Sequence, residues 1–227
     1  MMIKYLEWDS IFFEKKIGEV FLSELDNIEH LEKDFDLIYV KSATNFNIDI
    51  KDYILTYEEV KVIFSKKISD VSKVNANIYA IADTFNNIDK LYELAYESGK
   101  YSRFKLDTKF SEMSFKTLYQ MWINNSLKKT FADEVLVYSV NNQIIGFVTY
   151  KIVVNKAIIG LIATDSNEQG KGIGTQLIHE VERRVQLKKV LDISIPTQLK
   201  NKLACKFYNK LGFNITEQTT IKHYWKL

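Results

Sequence analysis

The chain of 227 residues holds one cysteine, one proline and eight glycines, and no run of about 18 apolar residues interrupts it. Cys205, alone, has no partner in the chain for a disulfide. No charged-then-apolar leader opens the sequence, so the expectation is a soluble, cytoplasmic protein. An excess of either charge is also missing. Thirty-one basic residues against twenty-nine acidic ones give a formal net charge of +2, which is too balanced to point to a nucleic-acid or membrane partner. The three histidines, His30, His179 and His223, are scattered, and no spacing suits a metal ion. What is present is apolar material: 46% hydrophobic residues, enough to bury a sizeable core and to exclude disorder.

Against this scarcity of glycine, residues 166–185, "SNEQGKGIGTQLIHEVERRV", place Gly170, Gly172 and Gly174 within five positions. A loop that brings backbone amides against a ligand must shed Cβ atoms and reach positive φ. A helix starting directly after it offers unpaired N–H groups and the positive end of its dipole, which suits a phosphate or diphosphate. The spacing is not the dinucleotide fingerprint, because its third glycine comes one residue early, and no phosphate-loop Gly-Lys-Ser/Thr is present. It does fit Gln-x-x-Gly-x-Gly, in Gln169, Gly172 and Gly174, ahead of a helix with Leu177, Ile178, Val181 and Val185 on one face.

Along the rest of the chain, "IGEVFLSEL", "FDLIYVKSA" and "VKVIFSKKI" read as strands around a charged helix, "NIEHLEKDF". They make a small αβ unit, and a polar stretch, "SKVNAN", separates it from the longer remainder. The predicted division is residues 1–75 as an N-terminal αβ domain and 76–227 as a second domain. The second opens with the strand "IYAIA" and a helix from Ile88 to Ser98. A further helix carries Phe115, Leu118, Tyr119 and Trp122 as core. The strands "EVLVYSV" and "QIIGFVTYKIVV" join at Asn141 and Asn142 as a hairpin, and "AIIGLIAT" leads into the glycine loop. After the strand "VLDISIP", the segment "TQLKNKLACKFYNKLGF" forms a last helix. Asn201, Cys205 and Tyr208 share its outward face there, while Leu203, Phe207 and Leu211 pack and Gly212 ends it. "FNITEQTTIKHYWKL" supplies closing strands.

Taken together, the glycine loop and this last block resemble the GCN5-related N-acetyltransferase (GNAT) superfamily. "LEWDSIFFEKKIGEV", "SGKYSRFKLD" and "LYQMWINNSL" are similar to its nucleotide-sugar N-acyltransferase branch, typified by dTDP-fucosamine acetyltransferase. The resemblance implies an α/β fold with a mixed, mostly antiparallel twisted sheet flanked by helices, beside the smaller N-terminal domain. It implies transfer of an acyl group, acetyl or a short hydroxyacyl, from acyl-coenzyme A to the amine of a dTDP-linked amino-dideoxy sugar for bacterial surface polysaccharide (O-antigen or capsule). Leu161, Ile162 and Ala163 would then offer backbone groups to the pantetheine arm. Gln169, Gly170, Lys171, Gly172, Ile173, Gly174 and Thr175 would cradle the diphosphate, and Asn201 would reach the cofactor. Tyr208 would protonate the departing thiolate.

For the acceptor, "YSRF" supplies Tyr101, Ser102, Arg103 and Phe104. The guanidinium suits phosphate or carboxylate oxygen, and the two rings could flank a thymine or a sugar. No carboxylate lies on the strand before the loop, so no general base is named, with Asp107 and Glu97 as unplaced candidates. Two other readings stand beside this one: an acetyltransferase for an aminoglycoside, polyamine or peptide amine, and a non-catalytic acyl-coenzyme A sensor. A homodimer through an exposed sheet edge is expected by family analogy alone.

Overall fold

A computed structural model describes residues 3–22, 34–69, 74–82 and 88–227. Ten strands form one sheet in the order β1-β2-β3-β10-β4-β9-β8-β7-β6-β5. They are β1 (Lys4–Tyr5), β2 (Ile17–Leu22), β3 (Leu37–Ser42), β4 (Tyr53–Lys67), β5 (Ile78–Ile81), β6 (Glu134–Val140), β7 (Gln143–Val153), β8 (Lys156–Thr164), β9 (Asp192–Gln198) and β10 (Asn214–Lys226). Only β2 with β3 and β8 with β9 run parallel. The helices are α1 (Glu7–Phe13), α2 (Ile88–Gly99), α3 (Arg103–Leu106), α4 (Glu112–Leu127), α5 (Ile173–Leu187) and α6 (Lys202–Lys210). The fold is the mixed α/β, mostly antiparallel one expected. The closing segment is a single long strand, β10, and it inserts between β3 and β4. Strands from residues 1–75 and from residues 76–227 therefore belong to one sheet. The predicted helix "NIEHLEKDF" falls, but for its last two residues, outside the described residues.

Each face of the sheet carries its own core. Strand alternation sends Val62, Phe64, Ile193 and Ile195 to one face, where they meet the stripe Leu177, Ile178, Val181 and Val185 of α5, together with Cys205 and Tyr208 of α6. The opposite face sends Leu37, Tyr39, Val135, Val137, Phe147 and Trp225 against Leu91, Leu94 and Ala95 of α2, Phe104 of α3 and Phe115, Leu118 and Tyr119 of α4. Local signals set the joints between elements. Asn141 and Asn142 both hold positive φ (50° and 62°), the geometry of a tight hairpin turn, and Ser111 caps α4 by accepting from the Ser114 amide.

The last helix faces the other way from its prediction. Leu203 is 69% exposed and Phe207 and Leu211 are only half-buried, whereas Cys205 and Tyr208 are buried. Tyr208 packs against Phe64, Phe207 and Phe213. The stripe with more purely apolar residues packs only at its edge, through Phe207 and Leu211, while the Tyr208 ring fills the space among its aromatic neighbours.

Candidate functional site

The site begins where two parallel strands part. β8 pairs with β9 only from Lys156 with Asp192 to Ile158 with Ser194, and beyond that β8 continues for six residues without β9. The chain's one proline explains the parting. The Leu199 amide donates to Val60 on β4, so by alternation Thr197 and Ile195 also point their backbone groups at β4, and Pro196 turns its nitrogen toward β8. A proline nitrogen has no hydrogen to give, and the ladder stops there.

On the β8 side, the Leu161 amide donates to Thr149 Oγ1 at 2.9 Å and the Asp165 amide to the Ile145 carbonyl at 2.8 Å, both on the β7 side. From Leu161 onward, past the irregularity in the β7–β8 register, alternation gives Ala163 to β7 as well and leaves Ile162, with Thr164, presenting N–H and C=O to the gap. Of the three strand residues expected to offer backbone groups, Ile162 is the one oriented to do so. Leu161 and Ala163 have theirs turned to β7.

At the open end of the gap lies the glycine loop. Gly170 and Gly172 hold φ of +80° and +81°, and an added Cβ would meet nothing within 4 Å at Gly170 and only Gln176 Nε2, at 3.9 Å, at Gly172. Their glycine is thus a matter of backbone conformation. Gly172 is the N-cap of α5, no side chain caps that helix, and the first turn-closing bond is Gln176 to Gly172. The amides of Ile173, Gly174 and Thr175 accordingly stand free of intrahelical partners, at the positive end of a 15-residue helix. Gly174 serves packing too, since a Cβ there would come within 3.2 Å of the Phe207 ring. Lys171 is exposed and pairs with Glu168 at 2.9 Å, and Gln169 Nε2 lies 3.4 Å from the Thr164 carbonyl. Asn201 caps α6 with its side chain, accepting from the Ala204 amide at 3.2 Å.

Of the acceptor residues, Phe104 is placed in the core, between Phe13, Phe110 and Trp122, and so does not flank a ligand ring. Tyr101 is half-buried beside Lys100, and Ser102 is buried at the start of α3 without making a cap bond. Arg103 is half-buried, its guanidinium lying over the Tyr39 ring at 4.1 Å, with Nη1 buried and unpartnered. Beneath it is a polar group that the local sequence pattern did not signal. Glu59 is buried on the face of β4 that α3 covers and accepts from Tyr57 Oη at 3.0 Å. Burial raises its carboxyl above the usual range, against the opposing charge of Arg103 and the bond from Tyr57.

Asp107, fully buried, accepts from His223 Nδ1 at 2.6 Å, Trp225 Nε1 at 3.0 Å and the Lys109 amide at 3.1 Å. Burial works against its charge, but these bonds outweigh it and hold the carboxyl below its ordinary value. Burial drives His223 down to about 4 in spite of Asp107, so the imidazole is neutral. Glu97 lies away from Arg103, beside the glycine loop, where its carboxylate pairs with Lys100 and accepts from Gln169 Nε2 at 3.4 Å. Tyr208, on the other face, has its hydroxyl pushed further above 10 by burial and remains a proton donor through the neutral range. Among the described residues no cluster of metal-ligating side chains occurs, and no helix is long and apolar enough to cross a membrane.

An open strand gap ending at an uncapped, glycine-entered helix can take a diphosphate on the helix amides and an amide-bearing arm along the strand. Residues 89–213 match the Acetyltransferase (GNAT) family, and the chain belongs to that family. It is 26% identical over 137 residues to the spore coat polysaccharide biosynthesis protein SpsD of Bacillus subtilis (strain 168), covering 60% of this chain and 47% of that one. It is 32% identical over 75 residues to the uncharacterized protein YxbD of the same organism, covering 33% and 46%. The chain thus spans about half the length of these curated relatives. Among solved structures, a functionally unknown conserved protein from Staphylococcus epidermidis aligns with a TM-score of 0.61 at 15% identity, over 85% of this chain and 74% of that one. The PaiA N-acetyltransferase of Thermoplasma acidophilum, in complex with coenzyme A, aligns with a TM-score of 0.50 at 22% identity, over 64% and 96%. These likenesses are of fold.

Proposed function

We propose that the chain is an N-acyltransferase that moves an acetyl or short hydroxyacyl group from acyl-coenzyme A to the amine of a dTDP-linked amino-dideoxy sugar, in the cytoplasm, for bacterial surface polysaccharide. The observation that carries the acyl-transfer part is the gap between β8 and β9 running into the uncapped amides of α5. These residues fit a diphosphate with an amide-bearing arm: Ile162 offers backbone pairing along the gap, and the amides of residues 170–175 offer hydrogen bonds and a positive dipole at its end. The sugar part is supported by the similarity to SpsD, whose name places it in polysaccharide biosynthesis. It is supported too by half-buried Arg103, whose guanidinium suits phosphate oxygen and whose positive charge reaches the buried Glu59. In this reading residues 1–75 bring Glu59 and Tyr57 to the acceptor side, residues 76–227 add Arg103 to it, and the acyl-coenzyme A side comes from residues 76–227 alone.

Acyl-coenzyme A, when bound, supplies the acyl carbonyl as a thioester. Glu59 takes the proton that the acceptor's ammonium must lose before its nitrogen can attack. A carboxyl raised by burial is a better match to that task than an ordinary one. Tyr208, from the opposite face of the sheet, donates a hydrogen bond from its hydroxyl to the departing sulfur as the thiolate takes up the proton that the new amide nitrogen sheds; burial holds the phenol above its ordinary 10, so it stays protonated throughout. In this reading acid and base act from opposite faces of the sheet. Thiol release on mixing the protein with acetyl-coenzyme A and dTDP-amino sugars tests the reading. Its absence with every dTDP-amino sugar and every short acyl donor would refute it.

A further inference from the structure

The ladder between β4 and β9 ends with Lys61 opposite Gln198, and the Leu199 amide continues it by donating to the Val60 carbonyl at 2.8 Å. Register therefore brings Lys200 across from Glu59, where the chain turns toward α6. Its ammonium lies 4.2 Å from the centre of the Tyr57 ring, and the Tyr57 hydroxyl donates to Glu59 at 3.0 Å. The contacts run in series, from a cation on a phenol face to the phenol's hydroxyl on a buried carboxyl. Lys200 is exposed, and among the described residues its side chain makes no ion pair or hydrogen bond.

A buried carboxyl resists ionisation, and burial raises that of Glu59. What opposes burial comes from several elements. Arg103 acts from α3, Tyr57 and Lys61 from β4 itself, and Lys200 from the end of β9. Lys41 of β3 and Glu217 of β10 act on Lys61, and Asp107 acts on Tyr57, while His223 of β10 is neutral. Tyr119 of α4 adds a neutral hydroxyl. Glu58 alternates to the other face of β4, where it pairs with Lys222. Of the three cations that favour the carboxylate, Lys200 alone lies over the Tyr57 ring; Arg103 lies over Tyr39 and Phe104 instead. A positive charge on the face of a phenol is attracted to the ring and makes its hydroxyl a stronger donor. The same charge favours the ionised form of a carboxyl buried nearby, where salt screens it little.

We propose that Lys200 is a positioning residue for the base: it holds the Tyr57 hydroxyl on Glu59 and keeps Glu59 in the ionised form that takes the acceptor's proton. This rests on the reading of Glu59 as the general base of an N-acyltransferase. Lys200 acts through Tyr57 and through its charge, and it sets the pH at which the enzyme becomes active.

Lys200→Met keeps an unbranched stem over the Tyr57 ring and removes the charge. Without that charge the carboxylate form is less favoured, so the rising limb of kcat/KM should move to higher pH. On the limb kcat/KM should fall about threefold to tenfold, and the plateau should be reached later. Lys200→Arg should restore the wild-type limb. In a Tyr57→Phe background Lys200→Met should move the limb less, because the ring no longer bonds Glu59. Infrared difference titration of the Glu59 carboxyl, its band identified by loss in Glu59→Gln, should show the same displacement with no substrate present. A limb and a band that stay in place in Lys200→Met would overturn the proposal, as would an equal fall in kcat/KM at every pH. A higher acceptor KM with the limb in place would overturn it too, by making Lys200 a substrate contact. A displaced band in a protein that acylates no sugar amine would overturn the sugar reading and uphold the hold of Lys200 on Glu59. Sugar acylation with an unmoved band would overturn the role of Lys200 alone.

Discussion

Gly172 and Gly212 hold the same backbone angle, φ +81°, at opposite kinds of position, and this makes a controlled perturbation. An added Cβ would meet only Gln176 Nε2, at 3.9 Å, in the first case and nothing within 4 Å in the second, so neither substitution creates a clash. The cost of each is therefore conformational: about 1–2 kcal/mol to hold a side chain in the left-handed region. The lost freedom of the unfolded chain offsets about 0.4–1 kcal/mol of it. Gly172→Ala and Gly212→Ala should each lower stability by about 1 kcal/mol, a drop of about 2–4 °C in Tm for a domain of this size. Their effects on coenzyme A should part company. At Gly172 the chain relieves the strain by rotating out of the left-handed region, which turns the loop amides away from the diphosphate. A bias of about 1.4 kcal/mol against the binding form weakens affinity about tenfold. At Gly212, beyond the far end of α6, the same relief touches nothing that binds. Calorimetric titration of both variants with coenzyme A is the assay. Equal affinities for Gly172→Ala, Gly212→Ala and wild type, with both proteins folded, would refute the diphosphate role of the loop.

Replacing Tyr208 with Phe keeps the packing against Phe64 and Phe213 and should lower kcat by about 10²-fold with little change in coenzyme A affinity, as expected for a lost hydrogen bond to the departing sulfur. A fall of less than about threefold, with chemistry rate-limiting, would leave Tyr208 a packing residue. The raised carboxyl of Glu59 gives two signs. As base it is active once ionised, so kcat/KM should climb with pH through a value above the ordinary 4.5, and Glu59→Gln should remove that limb along with most of the activity. For stability, a carboxyl whose pKa is raised on folding contributes fully below its unfolded pKa and loses that contribution as pH rises through the folded one. Glu59→Gln should thus melt higher than wild type near neutral pH, with the difference closing in acid, and thermal melts at the two pH values check it.

Elements that depend on neighbouring residues were legible in the sequence. Periodicity placed α2, α4 and α5, Asn141 and Asn142 placed the β6–β7 turn, and the glycine spacing placed the loop at the start of α5. The buried face of α6 was not, because Cys205 and Tyr208 weigh less on a polarity scale than Leu203, Phe207 and Leu211. Only the aromatic neighbours from β4 and from Phe213 decide in their favour. Pro196 did carry a readable signal, as the one proline and the last residue of an apolar strand, but its meaning depends on which strand lies on which side. The buried cluster of Tyr39, Glu59, Arg103, Asp107 and His223 has no local signature at all. It exists because β10 enters between β3 and β4, a pairing of segments from opposite ends of the chain.

The central claim is acyl transfer to a sugar amine, and its most direct measurement is a mass-spectrometric and thiol-release screen of acetyl- and short hydroxyacyl-coenzyme A against dTDP-linked 3-amino and 4-amino dideoxy sugars, with spermidine and an aminoglycoside alongside. The account predicts thiol release with one or more dTDP-amino sugars, and a product heavier than that sugar by one acyl group. Release with spermidine or the aminoglycoside and none with any sugar nucleotide would contradict it, and so would coenzyme A binding with no turnover of any acceptor.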